Sequence, residues 1–402
     1  MSFILFSVLT SKLPSESHGS FIKPNVELIE FLESVISLHK IYKIKTQTPL
    51  SIKLTNCFTI FALTNSKLNP QTMKKFLLTI LLSLFYFFSY SQNETYAEKL
   101  GFPKGAKVII MHVDDVGMSY DSNIGAIKAV EEGVATSMSV MMPCAWVPGF
   151  VHYLKNHPNI DAGLHLTLTS EWKDYRWGPL SGKPSVPNLV DSEGAMWQSV
   201  QETAKHASAD EIEKEIRSQL DRARAMGFEP THMDSHMGTL FAREDYLERY
   251  FKVGMEQKIP VMFPGGHNSM IMKEKVVGLT LEKAQTIGKM LWSAGLPVLD
   301  DLHNISYGWT MDKVVKPNDK DLQKYKTQKY IESFKDLRAG VTMVIMHCTS
   351  PTEVFEHISD SGNTRKGDLL AMIDPVLKKY IQDNKIILTT WKELKQRRDK
   401  VK

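Results

Sequence analysis

Three short segments of this chain place Asp and His side chains where a divalent cation could be held: Val113-Asp114-Asp115, Gly163-Leu164-His165-Leu166-Thr167 and Thr231-His232-Met233-Asp234-Ser235-His236. Each lies at or near the end of an apolar run that reads as a buried strand, and strand ends are where α/β folds gather reacting groups. A carboxylate and two imidazoles converging there make a three-ligand site with a position left for water. Asp114 and Asp115 are adjacent carboxylates that repel each other, and packing alone gives no reason to keep both. If one binds the cation, the other stays free as a general base for water beside it.

Alternation along a strand puts His165, Thr167 and Thr169 on one face and Leu164, Leu166 and Leu168 on the other. Leucines turned toward a helical layer would send His165 into the interior of the sheet. The same period groups His232, Asp234 and His236, with His236 nearest the strand's C-terminal end and His232 roughly 13 Å deeper. Asp234 is placed to accept a proton from an imidazole, the usual support behind a ligand. Met343-Val344-Ile345-Met346 is another hydrophobic strand that ends in a histidine, His347. A metal ligand and a general acid are both open to it. With three ligands already at hand, it is assigned to protonating a leaving group. Trp172, Tyr175 and Trp177 crowd the loop after His165, where aromatic rings suit stacking on the C–H faces of a sugar and equally suit packing of the loop itself.

The elements that must position these residues form a regular series. Val108–Val113, Val134–Met142, Ile160–Thr169, the run carrying His232 to His236, Ile259–Phe263, Leu296–Leu299, Val341–His347 and Ile386–Thr389 read as strands. Between them Ser122–Glu132, Phe150–Asn156, a polar helix opened by Ser208 with Glu211 three residues on, Leu281–Trp292, Leu322–Leu337 and Leu369–Ile381 read as helices, and Thr390 with Glu393 caps a last one. Alternating strands and helices imply a parallel sheet with helices outside. Seven or eight such units predict an irregular (β/α) TIM-like barrel. A doubly wound open sheet is the runner-up, without a G-x-G-x-x-G turn to support it. The loops at 170–200 and 264–280 are long enough to carry function. Residues 100–402 read as one domain.

The N-terminal region is of a different kind. Met73-Lys74-Lys75, the apolar run Phe76–Phe88 and Ser89-Tyr90-Ser91 have the layout of a secretory signal peptide over 73–91, too short for a membrane-spanning helix. Such a signal should open a chain, so residues 1–72 read as upstream sequence translated from a start assigned too early, and the mature protein as exported, periplasmic or secreted. Residues 1–92 hold nine lysines and four glutamates; removing them from totals of 49 basic and 45 acidic residues leaves a nearly neutral remainder. With no basic stripe and no Arg-rich run, nucleic acid is not expected as a partner. Cys144 and Cys348 could pair in an exported protein or remain buried thiols, and no CxxC offers a thiolate zinc site. An oligomer is left open.

His112-Val113-Asp114-Asp115-Val116-Gly117-Met118-Ser119, Asn123-Ile124-Gly125, Gly133-Val134-Ala135-Thr136-Ser137, Gly163–Thr169 and Thr231–His236 together resemble the YdjC/ChbG family of carbohydrate deacetylases, over roughly residues 105–390. The resemblance implies an irregular (β/α) barrel and a metal-dependent hydrolase that removes acetyl groups from N-acetylated amino sugars. By position it assigns Asp115, His165 and His236 to the metal, Asp114 to the base and His347 to the acid. The family's cation is usually given as magnesium, whereas two imidazoles and a carboxylate suit zinc or another first-row ion. Family members continue the last motif with further histidines. Here Met237-Gly238-Thr239-Leu240-Phe241 follows, so a chitobiose specificity is not expected to carry over. An O-acetyl esterase using the same site and a catalytically silent exported glycan-binding protein are the competing readings. In each case the partner is an acetylated oligosaccharide or glycan.

Overall fold

The structure, a computed structural model, describes residues 94–274, 280–311 and 317–401. The upstream segment 1–72 and the export signal read at 73–91 lie outside the described residues. In chain order the elements are α1 (Tyr96–Lys99), β1 (Lys107–Val116), α2 (Tyr120–Glu131), β2 (Ser137–Val140), α3 (Val147–Asn156), β3 (Ala162–Leu166), α4 (Val200–His206), α5 (Ala209–Ala225) and β4 (Met233–Ser235). They continue as α6 (Glu244–Gln257), α7 (Leu281–Ser293), β5 (Asp301–His303), α8 (Asp319–Phe334), β6 (Gly340–Met346), α9 (Glu353–Glu356), α10 (Gly362–Met372), α11 (Pro375–Asp383), β7 (Ile387–Leu388) and α12 (Trp391–Lys400).

All strand pairings are parallel, in the order β4-β3-β2-β1-β6-β5, with β7 beside the first half of β1. The segment after α6 spans the gap between β4 and β5. Val261 bridges Met233 and Pro264 bridges Leu299, both parallel. Hydrogen bonds from Met262 N to Met233 O (2.8 Å) and from Gly265 N to Leu299 O (3.0 Å) hold it there. The sheet thus curls into the expected irregular parallel barrel with helices outside.

Alternation sorts the strand residues. Ile109, Met111 and Val113 of β1, Leu164 and Leu166 of β3, and Val344 and Met346 of β6 join the apolar layer beneath the helices. Val108 and Ile110, with Val341, Met343, Met262, Leu299 and Leu302, form a second apolar cluster inside the barrel, closed by Trp391 and Leu394 of α12. Continuing the inward face of β1 upward from that base gives His112 and then Asp114. The barrel floor is therefore apolar and its upper layers polar. Gly163 on β3 is part of this fit: a Cβ there would lie 2.5 Å from the His232 ring.

Several elements differ from their sequence reading. The helix expected over Leu369–Ile381 is two, because Asp374 caps a new helix with Pro375 at its first position, and proline cannot donate into a preceding turn. The strand expected at Leu296–Leu299 forms at Asp301–His303 instead. Ile259–Phe263 does not form a full strand; it pairs through an isolated bridge at Val261 and backbone hydrogen bonds to Met233 and Leu299. Helix α6 has no counterpart among the expected elements, although its buried Tyr246, Leu247, Tyr250 and Phe251 carry a helical period. Helix α5 begins as expected, with reciprocal Ser208 and Glu211 hydrogen bonds. Cys144 and Cys348 are both buried and unpaired.

Candidate metal centre

Asp115 breaks the alternation of β1. Its φ of +65° is left-handed, and the register with β2 shifts between Val113 and Val116, the mark of a bulge. A regular strand would have sent Asp115 into the helical layer opposite Asp114. The bulge turns both carboxylates toward the mouth, where Gly117 (φ +85°) completes the turn into α2.

There Asp115 Oδ1 stands 3.2 Å from His165 Nε2 and 3.2 Å from His236 Nδ1, and all three side chains are buried. The far nitrogen of each ring is held by a carboxylate: His165 Nδ1 donates to Asp234 Oδ1 at 2.6 Å, and His236 Nε2 to Glu171 Oε1 at 3.1 Å. That arrangement orients the two rings so that their other nitrogens face Asp115 Oδ1. Asp115 Oδ2 accepts from Arg365 Nη1 at 2.7 Å, while Oδ1 is buried without a hydrogen-bond partner. An unpartnered carboxylate oxygen facing two oriented imidazole nitrogens fits a divalent cation, and the one-carboxylate, two-imidazole donor set suits zinc or another first-row ion. Burial opposes charge on Asp115, but Arg365 and the two histidines hold its carboxyl well below the usual range. Burial likewise opposes charge on His236, yet the Glu171 charge and hydrogen bond, with the Asp115 carboxylate beside the ring, raise its pKa to about 9. Burial opposes charge on His165 as well, but the Asp114, Asp234 and Asp115 carboxylates around it raise that ring well above its ordinary value.

Asp114, 7% exposed, lies beside this cluster with Oδ2 3.8 Å from His165 Nε2 and 4.0 Å from His347 Nε2. Its Oδ1 is held by His112 Nε2 at 3.2 Å and by the Ser139 hydroxyl at 3.4 Å. His112 Nε2 is also 2.9 Å from Asp234 Oδ2, so one buried ring joins the carboxylate behind His165 to Asp114. Although burial disfavours its charge, Asp114 and Asp234 raise the His112 pKa to about 9. His232 lies deeper, stacked on Trp391 at 5.3 Å, and burial lowers its pKa. His347 ends β6; its backbone N–H donates to Asp368 Oδ2 at 3.1 Å, and burial keeps its ring below the ordinary imidazole pKa.

Of the loop aromatics, Tyr175 donates its hydroxyl to Met118 O at 2.5 Å and Trp172 stays half-buried. Trp177 departs from a stacking role: at 7% exposure it packs edge-on beneath both, its Nε1 donating to Thr169 O at 2.9 Å. Glu171, Arg365 and Tyr307 were not singled out from the sequence. Arg365 comes from α10, some 250 residues beyond Asp115, and Tyr307 lies edge-on to His347 at 4.9 Å. Glu171 adjoins Trp172 in the loop already marked as long, and that was the one signal available for it. His112 stood in the first motif but carried no assigned role.

Fold and site together define an α/β-barrel protein with a candidate centre of one carboxylate and two imidazoles at the carboxyl ends of its strands. The family profile of YdjC-like proteins matches residues 108–383, and the chain belongs to that family. It is 27% identical to a carbohydrate deacetylase of Thermus thermophilus over 74% of this chain and 97% of that one. With a carbohydrate deacetylase of Brevibacillus brevis the identity is 28% over 71% and 99%. A solved structure from Enterococcus faecalis V583, described as that of a candidate cellobiose-phosphate cleavage protein, shares the fold. Its TM-score is 0.57 at 18% identity, over 72% of this chain and 99% of that one.

Proposed function

We propose that this protein is a metal-dependent hydrolase that removes acetyl groups from N-acetylated sugars. The observation that carries the reading is the buried, unpartnered Oδ1 of Asp115 facing two imidazole nitrogens whose far sides are held by carboxylates, with a second carboxylate, Asp114, beside it. The relatives described as carbohydrate deacetylases support the substrate class.

Asp115, His165 and His236 would hold a divalent ion, which would supply the Lewis acidity to make an acyl carbon more electrophilic and water more acidic. Asp114 takes a proton from water through Oδ2 as the water oxygen bonds to the acetyl carbon. His112 and Ser139 hold the other oxygen of Asp114, so its free oxygen keeps one direction. The C–N bond then breaks, and the departing nitrogen takes a proton from His347. Burial keeps His347 neutral beforehand, and Asp114 Oδ2, 4.0 Å away, is the source of the proton it passes on. Acetate and a free amine are the products. The neutrality of His347 also favours a second reading, O-acetyl ester cleavage, in which the leaving alkoxide requires less help. His347→Ala with near-full esterase activity would select it.

Asp114→Asn tests the main reading. Metal affinity should stay within a fewfold of the parent by calorimetric titration, while acetate release falls by at least about a hundredfold. Equal loss of metal in that variant would contradict the base assignment.

A further inference from the structure

Tyr120 and Trp146 are held half in water, 52% and 46% exposed, with ring centroids 5.1 Å apart and planes inclined by 55°. Both belong to the mouth of the barrel. Trp146 N donates to Gly117 O at 3.2 Å, Asn123 Nδ2 to Trp146 O at 3.0 Å, and Gly117 N to Asn123 Oδ1 at 2.7 Å. Gly117 is two residues past Asp115, and Tyr120 opens α2 directly after the Ser119 cap. The backbone turn that presents both carboxylates is therefore the one that presents both rings. A third exposed ring, Tyr307 at 40%, stands over His347 at the site itself.

We infer that Tyr120 and Trp146 form a sugar-stacking subsite. It would receive a pyranose ring of the same glycan chain whose acetylated residue occupies the metal centre. This rests on the deacetylase reading and makes the substrate an oligosaccharide rather than a single sugar. Two half-exposed rings present on the order of 200 Å², well short of the roughly 800 Å² per side that a stable protein interface buries. One sugar face is of matching size. Its C–H groups meet the ring faces, while the Tyr120 hydroxyl and Trp146 indole N–H remain able to bond its hydroxyls.

The test uses the full chain and N-acetylglucosamine oligomers of one to five residues. In the parent, kcat/KM should rise about tenfold from the monomer to the longer members. In Trp146→Ala and Tyr120→Ala the ratio of long to short should fall to near one through KM, and Trp146→Phe should restore most of it. An unchanged ratio in both alanine variants overturns the subsite. A second measurement separates it from the reaction: calorimetric titration of Asp114→Asn with the same oligomers. Binding that strengthens with length and is lost on adding Trp146→Ala upholds the subsite even if no acetate is released. Lack of length dependence sinks it even if acetate is released. Self-association of the parent in sedimentation that Trp146→Ala abolishes would make the rings a protein contact and overturn the assignment.

Discussion

Asp234 is the residue on which both halves of the centre converge. One oxygen fixes the His165 ring at 2.6 Å; the other lies 2.9 Å from His112, which in turn holds Asp114. Replacing Asp234 by Asn keeps the shape but removes the charge behind His165 and unbalances the buried His112. Metal affinity should drop about ten- to hundredfold, as for other carboxylates behind a ligand histidine. Calorimetric titration with Zn²⁺ checks it, and an affinity unchanged within twofold would remove Asp234 from the site. This residue's role was legible in the sequence, since it shares the strand face of His232 and His236. Glu171 and Arg365 were not, because nothing in spacing announces partners supplied by a loop and by a distant helix.

Elements are fastened to one another by charge as well as by apolar packing. Glu213 on α5 takes Arg217 of its own helix together with Arg249 and Lys252 of α6. Although burial works against its charge, these three cations lower its pKa from 4.5 to about 2. A carboxylate whose folded pKa is depressed contributes stability that is complete above its unfolded pKa and is lost as pH falls through the folded value. Glu213→Gln should therefore destabilise the domain at pH 7 by about 1 kcal/mol, and the gap from the parent should close between pH 4.5 and 2. Urea unfolding at pH 7 and pH 3 reads both. A gap of equal size at the two pH values would assign the effect to packing. Helix α5 itself was foreseen from its capping box, whereas the break at Pro375 was missed because the apolar period runs on across it.

Across the whole molecule, the candidate ligands come from the bulged end of β1, from β3 and from the turn after β4, so a bound ion ties together three separate stretches of chain. Zn²⁺ at about a hundred times its dissociation constant should stabilise the fold by roughly 2.7 kcal/mol and raise the melting temperature by about 3–5 °C. His236 holds its proton up to about pH 9 without metal, and binding must displace it. The metal-induced shift should therefore shrink as pH falls from 9 toward 6, with proton release seen in buffers of different ionisation enthalpy. A shift independent of pH would place the ion elsewhere. By itself the sequence determined the alternating strand–helix order, the strand ends that carry His165, His236 and His347, and the inward face of His165, because side-chain period and apolar patterning are local properties. Only the tertiary structure decided that Asp114 and Asp115 face the same cavity. Strict alternation would separate them, and the bulge that unites them depends on the pairing of β1 with β2, a contact between distant residues that no local pattern encodes.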